Sequence, residues 1–358
     1  MPPGILLVNL GSPASTSVAD VRAYLDEFLM DERVVDLPWP ARRLLVTGLN
    51  LSGRPARSAA AYAKIWLAEG SPLVHISRQL RDQVQLRTEL PLELAMRYGE
   101  PAISTSLRQL RARNADAVRL IPLYPHYAMS SFETVVVKVR AELAAMGWQV
   151  PLTVLPPFYA HPRYIAALVA SAREQLEWDY DHFLFSYHGI PLRQVLKVDP
   201  TRQHCVDDPA GFPACCRGSS PAHAFCYRHQ VLETTERFVA AAGIPADKYS
   251  ISFQSRLGRT PWLRPYTDFE LPRLAQTGKK NVLIISPSFV SDCLETLEEL
   301  AIRGVELFTA SGGSELRAIP CMNLHPDWVR TLVDWAEDEA AFVPAVAGEK
   351  ALSSASVN

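Results

Sequence analysis

A histidine at the end of an apolar run is the first feature of this sequence that could carry chemistry. His188 follows the run Phe183–Tyr187 and precedes the tripeptide Gly-Ile-Pro, which predicts a tight turn after a buried strand. Imidazole titrates near neutral pH, so His188 could accept a proton or bind a metal ion. The structural alternative is a histidine that only hydrogen-bonds to nearby backbone.

An acidic segment, Ser291–Leu300, is the second such feature. On an α-helical wheel, one face carries Asp292, Glu295 and Glu299, and the other carries Cys293, Leu294, Leu297 and Leu300. The structural alternative is a capping box, with Asp292 as N-cap and Glu295 at N3, and the remaining acids on a solvated face. Because the segment follows another apolar run, its acidic row should reach the same sheet edge as His188. Carboxylates facing an imidazole there could guide a divalent cation.

A segment rich in arginine and aromatic residues lies at residues 249–268. It contains Arg256, Arg259 and Arg264 beside Trp262 and Tyr266. Cations and flat rings together could bind a large planar acid by ion pairing and stacking. A nucleotide would suit the same side chains, but the sequence has no GxGxxG or Walker A loop.

Four of the six cysteines lie in a polar insertion, at Cys205, Cys215, Cys216 and Cys226. In a reducing compartment such clustering favours a metal site, either zinc or iron–sulfur, over disulfides. The spacing matches neither a CxxC zinc ribbon nor the common ferredoxin pattern, and unligated thiols are the remaining alternative. The residues alone therefore leave the metal open.

Short apolar, β-branched runs alternate with segments of helical periodicity, which predicts parallel sheets covered on both faces. The predicted strands are Ile5–Leu10, Leu92–Met96, Ala117–Leu123, Leu152–Leu155, His182–Tyr187, Tyr249–Phe253, Val282–Ser286 and Arg317–Cys321. The predicted helices are Ser17–Leu29, Ser58–Trp66, Leu73–Leu90, Ile103–Arg113, Phe132–Met146, Pro162–Leu176, Arg228–Ala242 and Asp327–Ala341.

The two halves of the chain resemble each other at their strand ends. Asn9–Pro13 corresponds to Tyr187–Pro191, and two further pairs of strand ends match in the same order. We predict two similar Rossmann-like α/β domains, although Gly and Pro after strands also recur by chance. The domains are expected at 1–157, with a cleft-lip segment, and at 158–340, with the cysteine insertion at 199–227, followed by a flexible tail at 341–358.

Composition narrows the class of protein. Hydrophobic residues make up 48% of the chain and charged residues 21%, which is typical of a globular protein with a substantial core. The net charge of -2 argues against nucleic acid as a partner. No basic segment precedes the first apolar run, and no run reaches the about 20 residues of a membrane-spanning helix. A cytoplasmic protein is therefore expected.

Together these segments closely resemble the ferrochelatase family over about residues 4–335. The resemblance is carried by Gly4–Pro13, Tyr62 with Gly70–Pro72, Met96–Tyr98, Pro122–Tyr127, Phe185–Pro191, Phe253–Leu263 and Ser291–Glu299. It implies two Rossmann-like domains, each a parallel sheet flanked by helices, with a porphyrin cleft between them. It also implies a catalytic pair, a continuing acidic row and further residues along the cleft: His188 and Glu295, then Asp292 and Glu299, then Arg97, Tyr98 and Tyr127.

Two features of the sequence bear on how far this resemblance extends. Cys293 stands where many relatives have histidine, which puts a metal-relay role at that position in doubt. The cysteine insertion resembles the internal segment of a bacterial subgroup that carries a 2Fe-2S cluster. By that resemblance, the cluster ligands would be Cys205, Cys215, Cys216 and Cys226.

The activity implied is insertion of ferrous iron into protoporphyrin IX, giving haem and two protons, with His188 and Glu295 also contacting the substrate iron. Whether His188 is a base or a metal ligand is open. A chelatase for another tetrapyrrole, such as coproporphyrin or a cobalt-accepting ring, and a non-catalytic porphyrin carrier are the alternatives. Apolar residues in Leu37–Pro40 and Leu44–Leu49 could form a lip that contacts the inner face of the membrane peripherally, although a buried helix explains them equally well.

Overall fold

Continuously apolar runs form the central strands of two parallel sheets in the computed structural model, which describes residues 1–201, 212–258 and 260–345. The chain divides into two compact units. Unit 1 contains Met1–Tyr124, Met129–Pro156 and the residues from Leu332 onward, and unit 2 contains Pro125–Ala128 and Pro157–Thr331.

The sheet of unit 1 has its most buried strand at the centre. Strand β1 (Gly4–Gly11) lies between β2 (Leu92–Tyr98) and β3 (Val118–Pro122), and β4 (Leu152–Val154) follows β3. These four strands are parallel, and the short β9 (Val343–Pro344) pairs antiparallel with β4 at the edge. A central parallel strand is covered on both faces, which explains why β1 is continuously apolar over Ile5–Val8 and not alternating.

The sheet of unit 2 repeats this arrangement. Strand β5 (His182–His188) lies between β6 (Tyr249–Gln254) and β7 (Asn281–Ile285), and β8 (Glu315–Ala318) follows β7, all parallel. The strand orders are β2-β1-β3-β4 and β6-β5-β7-β8, so adding four to each strand number of unit 1 gives the order of unit 2. This identity confirms the predicted pair of similar α/β domains.

Helices flank the strands of each unit. Those of unit 1 are α1 (Val18–Leu29), α2 (Trp39–Leu51), α3 (Arg54–Ile65), α4 (Pro72–Gln85), α5 (Ile103–Ala112) and α6 (Thr134–Ala145), the last preceded by a π-helical turn at Met129–Glu133. Those of unit 2 are α7 (Pro162–Leu176), α8 (Leu192–Lys197), α9 (Tyr227–Ala242), α10 (Thr267–Gln276) and α11 (Val305–Ala310), the last preceded by a π-helical segment at Glu295–Gly304. The final helix, α12 (Pro326–Glu337), contains the division between the units.

Both faces of the unit 2 sheet are covered. On one face the strands pack against α10, the π-helical segment and α11 through a cluster of buried side chains: Leu184, Leu271, Leu274, Val282, Ile284, Leu300, Phe308 and Leu316. On the other face Phe183 and Phe185 contact Phe238 of α9, with ring centroids 5.6 Å and 5.4 Å from the centroid of Phe238. Burying each such side chain contributes about 1.5–3 kcal/mol, so this packing fixes the position of the strand ends.

A glycine lets the first strand of each unit turn away beside the second. A Cβ on Gly11, the last residue of β1 and the register partner of Tyr98, would lie 1.8 Å from the carbonyl oxygen of Tyr98. A Cβ on Gly189, directly after β5, would lie 2.8 Å from the carbonyl oxygen of Gln254. Both positions therefore require glycine, and the second one sets the path of the chain immediately after His188.

All eight predicted strands and all eight predicted helices are present, with differences at their ends. The sequence did not predict α2, α8, α10, α11 or β9. The compact units also differ from the predicted domain ranges, because Pro125–Ala128 groups with unit 2 and the residues from Leu332 onward group with unit 1. Among the described residues, no helix has the length and hydropathy needed to cross a membrane.

Candidate functional site

His188 is the last residue of β5, opposite Gln254 of β6 in the sheet register, and it is half-buried. Its Nδ1 lies 2.6 Å from the carbonyl oxygen of Gly189. A carbonyl can only accept a hydrogen bond, so Nδ1 carries the proton and Nε2 of the neutral ring carries the lone pair. No side chain or backbone group of the described residues is hydrogen-bonded to this Nε2, which leaves the lone pair able to accept a proton or bind a metal.

Glu299 lies in the π-helical segment and is held by the residue that follows β6. Ser255 donates to its carboxylate twice, from the backbone N–H at 3.1 Å and from the hydroxyl at 2.5 Å. Ser255 adopts a left-handed backbone conformation with φ of 67°, which is uncommon outside glycine and costs energy. The strained backbone directs both donors of Ser255 at one carboxylate.

Charge interactions link Glu299 to the two residues predicted as the catalytic pair. Burial raises the pKa of Glu299, the hydrogen bonds from Ser255 lower it, and the negative charge of Glu295 raises it further. The positive charges of Arg303 and of a protonated His188 act in the opposite direction, and the net result is a pKa above the ordinary value of 4.5. Glu295, Glu299 and His188 therefore lie close enough to one another in unit 2 for their charges to interact.

The raised pKa predicts how a Glu299→Gln variant behaves with pH. The folded protein holds the proton of Glu299 more tightly than the unfolded chain, so the stability due to this group is present below pH 4.5 and is lost as the pH rises through the raised pKa. Glutamine has no such loss. We expect the free energy of unfolding of the variant, relative to wild type, to increase in urea titrations as the pH rises from 4.5 through the raised pKa of Glu299. A pH-independent difference would contradict the assignment.

Glu295 begins the π-helical segment and is half-buried. The buried thiol of Cys293 lies beside it, because burial raises the pKa of Cys293 well above its usual value and the charge of Glu295 raises it further. Cys293 is thus a protonated thiol against the carboxylate. The burial of Cys293 agrees with the apolar side that the wheel gave it, but its position beside Glu295 does not, since the wheel put Glu295 on the other face.

Asp292 is buried, with 7% of its surface exposed, and all its hydrogen bonds are to other parts of unit 2. One carboxylate oxygen accepts from Thr296 Oγ1 at 2.9 Å and from the backbone N–H of Cys321 at 3.1 Å. The other accepts from Asn323 Nδ2 at 2.6 Å, and the N–H of Asp292 donates to Asn323 Oδ1 at 2.9 Å. Asp292 therefore joins the start of the acidic segment to the chain after β8.

The capping box considered for this segment is wrong. Within the described part of the chain, no side chain caps the start of the π-helical segment: the N–H of Asp292 donates to Asn323 and not to Glu295, and the hydroxyl of Thr296 accepts from the N–H of Cys293 at 3.0 Å. The solvated acidic face of that alternative is wrong as well, since Glu298 is 3% exposed and pairs with Arg303 at 2.7 Å. The i→i+5 hydrogen bonds of a π-helix widen each turn, so an α-helical wheel does not describe this segment.

In unit 1, Arg97 and Tyr98 both bind Asp31. The guanidinium of Arg97 pairs with Asp31 and also donates to Thr134 Oγ1 at 2.7 Å. Tyr98 is fully buried, and its hydroxyl donates to Asp31 at 3.0 Å, as the Thr134 hydroxyl does at 2.5 Å. Burial raises the pKa of Asp31, but the Thr134 and backbone hydrogen bonds and the charge of Arg97 together hold it below its ordinary value. The polar groups of the predicted cleft residues Arg97 and Tyr98 thus serve this network.

Replacing Asp31 with Asn is expected to destabilise the protein by about 3–5 kcal/mol at neutral pH, because Arg97 would keep a largely buried charge without its partner. The deficit should shrink in acid, since wild type loses this stability as the pH falls through the lowered pKa of Asp31. Urea titrations at two pH values measure both effects. Asp26→Asn is the matched control: its exposed pair with Arg43 should contribute less than about 1 kcal/mol. Equal losses in the two variants would contradict the prediction.

Tyr127 belongs to unit 2 and is buried, with 6% of its surface exposed. Its N–H donates to Gln230 Oε1 at 2.7 Å, and its ring meets the ring of Phe225 edge-on with centroids 5.1 Å apart. The neighbouring His126 is also buried, and burial lowers the pKa of His126 to about 3, so the ring stays neutral. These residues support α9 and the segment before it.

The cysteine insertion is only partly within the described residues. Cys205 lies outside them, whereas Cys215, Cys216 and Cys226 lie within them. Over residues 1–201, 212–258 and 260–345, no three His, Cys, Asp or Glu side chains are grouped so as to hold a metal ion.

Several side chains of the arginine- and aromatic-rich segment bind other residues of the same segment. Arg259 lies outside the described residues. Arg256 pairs with Asp268 at 2.6 Å and stacks on Tyr266 with its guanidinium carbon 4.3 Å from the ring centroid. The indole nitrogen of Trp262 donates to the carbonyl of Leu257 at 3.0 Å.

Sequence reasoning missed Ser255, Asp31 and Thr134. The position of Ser255 directly after β6 was a usable signal, because ligands of parallel sheets gather at the carboxyl ends of strands. Asp31 and Thr134 carry no comparable signal, since their partners are distant in the chain.

Comparisons with known proteins show the family and the fold of this chain. A ferrochelatase family model matches residues 2–340. The chain is 51% identical to the ferrochelatase of Pseudomonas fluorescens (strain Pf0-1), covering 93% of this chain and 97% of that one. It is 52% identical to the ferrochelatase of Pseudomonas putida (strain W619), covering 93% and 98%. Among solved structures, SirB from Bacillus subtilis with Fe3+ shares the fold, with a TM-score of 0.54 at 10% identity over 95% of this chain and 97% of that one. The chain belongs to the ferrochelatase family.

Proposed function

We propose that this protein inserts ferrous iron into protoporphyrin IX, producing haem and releasing two protons. The observation that carries the proposal is the grouping of His188, with a free Nε2 lone pair, and the carboxylates of Glu295 and Glu299 in unit 2 of a ferrochelatase family chain. These three groups match what porphyrin metallation needs, which is removal of protons from ring nitrogens and attraction of a dication.

The reaction is balanced without any net transfer of electrons. A neutral porphyrin loses two pyrrole N–H protons as Fe²⁺ binds its four nitrogens, and the product is neutral. His188 Nε2 accepts one proton, while its Nδ1–H stays on the Gly189 carbonyl and keeps the ring oriented. Glu295 assists the second deprotonation or attracts the iron. Glu299, whose pKa is raised by burial and by the charge of Glu295, holds a proton at higher pH than an ordinary carboxylate and can pass it on.

Asp292 has a different role in this proposal from the one that its place in the acidic row predicts. Its carboxylate already accepts three hydrogen bonds and is buried, so it has little capacity left for a metal ion. We infer that Asp292 holds the start of the π-helical segment, and with it Glu295, in position. Porphyrin contacts by Arg97, Tyr98 and Tyr127 remain predictions from the family resemblance.

The direct test is an anaerobic assay with ferrous iron and protoporphyrin IX, followed by the visible spectrum of the product. Conversion of the free-base spectrum to that of haem, dependent on iron and enzyme, is the expected result. If the protein converts coproporphyrin but not protoporphyrin IX, its substrate is another tetrapyrrole. Porphyrin binding with no metal-dependent change would make the protein a carrier.

The 2Fe-2S cluster stays a proposal that rests on the chemistry of the four cysteines and on the family resemblance. Thiolates are the ligands of such clusters, and Cys205, Cys215, Cys216 and Cys226 supply the required number. We assign no catalytic step to it. Protein purified without air should show the visible absorption of a 2Fe-2S centre and about two irons per chain; one zinc and no visible absorption would favour zinc instead.

Peripheral membrane contact is proposed for α2. Trp39 and Leu44 of this helix are 62% and 77% exposed, and Leu45 is 42% exposed, so much of its apolar surface is uncovered. Porphyrin and haem are themselves apolar, and a lip of this kind would sit at a lipid surface. Co-sedimentation with phospholipid vesicles should fall when Trp39 and Leu44 are replaced with Ser; unchanged binding would refute the contact.

A further inference from the structure

Two hydroxyl groups enclose the backbone of His188 in a closed ring of hydrogen bonds. The N–H of His188 donates to Ser288 Oγ at 3.2 Å, and the phenol of Tyr227 donates to the carbonyl oxygen of His188 at 2.8 Å. The hydroxyls of Tyr227 and Ser288 are themselves 2.9 Å apart. Both peptide groups of His188 are therefore tied to side chains that are distant in the sequence.

The proton positions in this ring follow from the partners. The single phenol proton of Tyr227 is used by the His188 carbonyl, which can only accept. The proton between the two hydroxyls must therefore come from Ser288, whose oxygen at the same time accepts from the N–H of His188. Each donor is used once, so the ring is fully satisfied.

These hydrogen bonds replace the strand pairing that β7 no longer provides at His188. Gly189 donates to the Gln254 carbonyl on the β6 side, so the N–H and C=O of His188 face the β7 side. Pairing between β5 and β7 ends at Phe185 and Ile285. Without Tyr227 and Ser288, the backbone of His188 would have no partner of its own on that side among the described residues.

The phenol of Tyr227 is itself held in place. The side chain is 5% exposed, and its ring meets the neutral ring of His126 edge-on with centroids 5.6 Å apart. Burial also raises the pKa of Tyr227, so the phenol keeps its proton and remains a donor throughout the pH range in which enzymes work. The packing of the Tyr227 aromatic ring against His126 fixes the direction of the Tyr227 hydroxyl.

We propose that Tyr227 and Ser288 are positioning residues that aim the imidazole of His188. The inference rests on the proposed function, because it assigns these residues to the same site. Fixing the peptide groups on both sides of His188 fixes its Cα–Cβ bond and the following Gly189 carbonyl. That carbonyl holds Nδ1–H, and so the direction of the Nε2 lone pair is set. A small misdirection of a catalytic group lowers the rate of the chemical step more than it lowers binding.

The test is Tyr227→Phe, which removes the phenol hydroxyl and keeps the aromatic ring. We expect kcat for iron insertion to fall about tenfold, with KM for porphyrin changed less than about twofold. Tyr187→Phe is the matched control: Tyr187 is fully buried, touches the same His126 ring, and loses a 2.7 Å bond to Thr235 that does not involve His188. The control should lose similar stability but keep kcat within about twofold.

Ser288→Ala and the double variant complete the experiment. If the two hydroxyls act as one ring, the double variant should lose no more kcat than the worse single variant, whereas independent effects would multiply. Full kcat in Tyr227→Phe, or equal kcat losses in Tyr227→Phe and Tyr187→Phe, would overturn the positioning role while leaving the proposed function intact. Failure of wild type to metallate porphyrin would instead refute the proposed function.

Discussion

Replacing His188 with Ala is expected to lower kcat for iron insertion by about a thousandfold, the loss typical of a removed general base. The physical reason is the tautomer: the Gly189 carbonyl holds the proton on Nδ1, and Nε2 is left as an unprotonated nitrogen at the end of β5. Alanine has no group that can take a pyrrole proton or bind iron. The measurement is steady-state turnover under anaerobic conditions with both substrates saturating.

The fold should survive this change, because only the half-buried imidazole is lost and the ring of hydrogen bonds to the backbone of residue 188 stays possible. Circular dichroism and urea titration test this directly. His75→Ala, a half-buried histidine on α4 in unit 1, is the matched control and should retain wild-type turnover. Near-normal kcat in the His188 variant would remove His188 from the proposed mechanism.

The duplicated fold could be predicted because buried parallel strands have a strong sequence signal. Runs such as Ile5–Val8 and Phe183–Phe185 are apolar at consecutive positions, and glycine or proline follows soon after them. Helix α2 gave no such signal, since it leaves large apolar side chains exposed and contains Gly48. Helix α10 contains Pro272, which ordinarily ends a helix. Strand β9 has two residues, too few for any periodicity.

Residue type and strand end were enough to single out His188 and the acidic segment as candidates, because both follow apolar runs directly. In the structure, Glu299 lies near enough to both Glu295 and His188 within unit 2 for their charges to shift its pKa. The hydrogen-bond partners of these groups could not be predicted, because the partners come from segments that are distant in the sequence. Ser255 reaches Glu299 across 44 positions, and Tyr227 reaches His188 across 39. No local pattern encodes either contact.

The second large expected effect is at Glu295. Replacing Glu295 with Gln removes one negative charge and one proton acceptor while keeping the side-chain shape. We expect kcat to fall about a hundredfold. If Glu295 serves mainly in proton removal, KM for porphyrin and for iron should both stay within about threefold, because the loss is confined to the chemical step. If it mainly attracts the dication, KM for iron should rise instead while KM for porphyrin is unchanged.

Neutralising Glu295 has a second consequence that separates a specific effect from general damage. The charge of Glu295 is one of the causes that raise the pKa of Glu299, so its removal should lower the pKa of Glu299 towards the ordinary value. The pH dependence of stability assigned to Glu299 should then shift to lower pH in the Glu295→Gln protein. Glu306→Gln, an exposed acid on α11, is the control and should change neither kcat nor that pH dependence. Wild-type turnover in Glu295→Gln would leave His188 without its proposed partner and assign the second proton to Glu299.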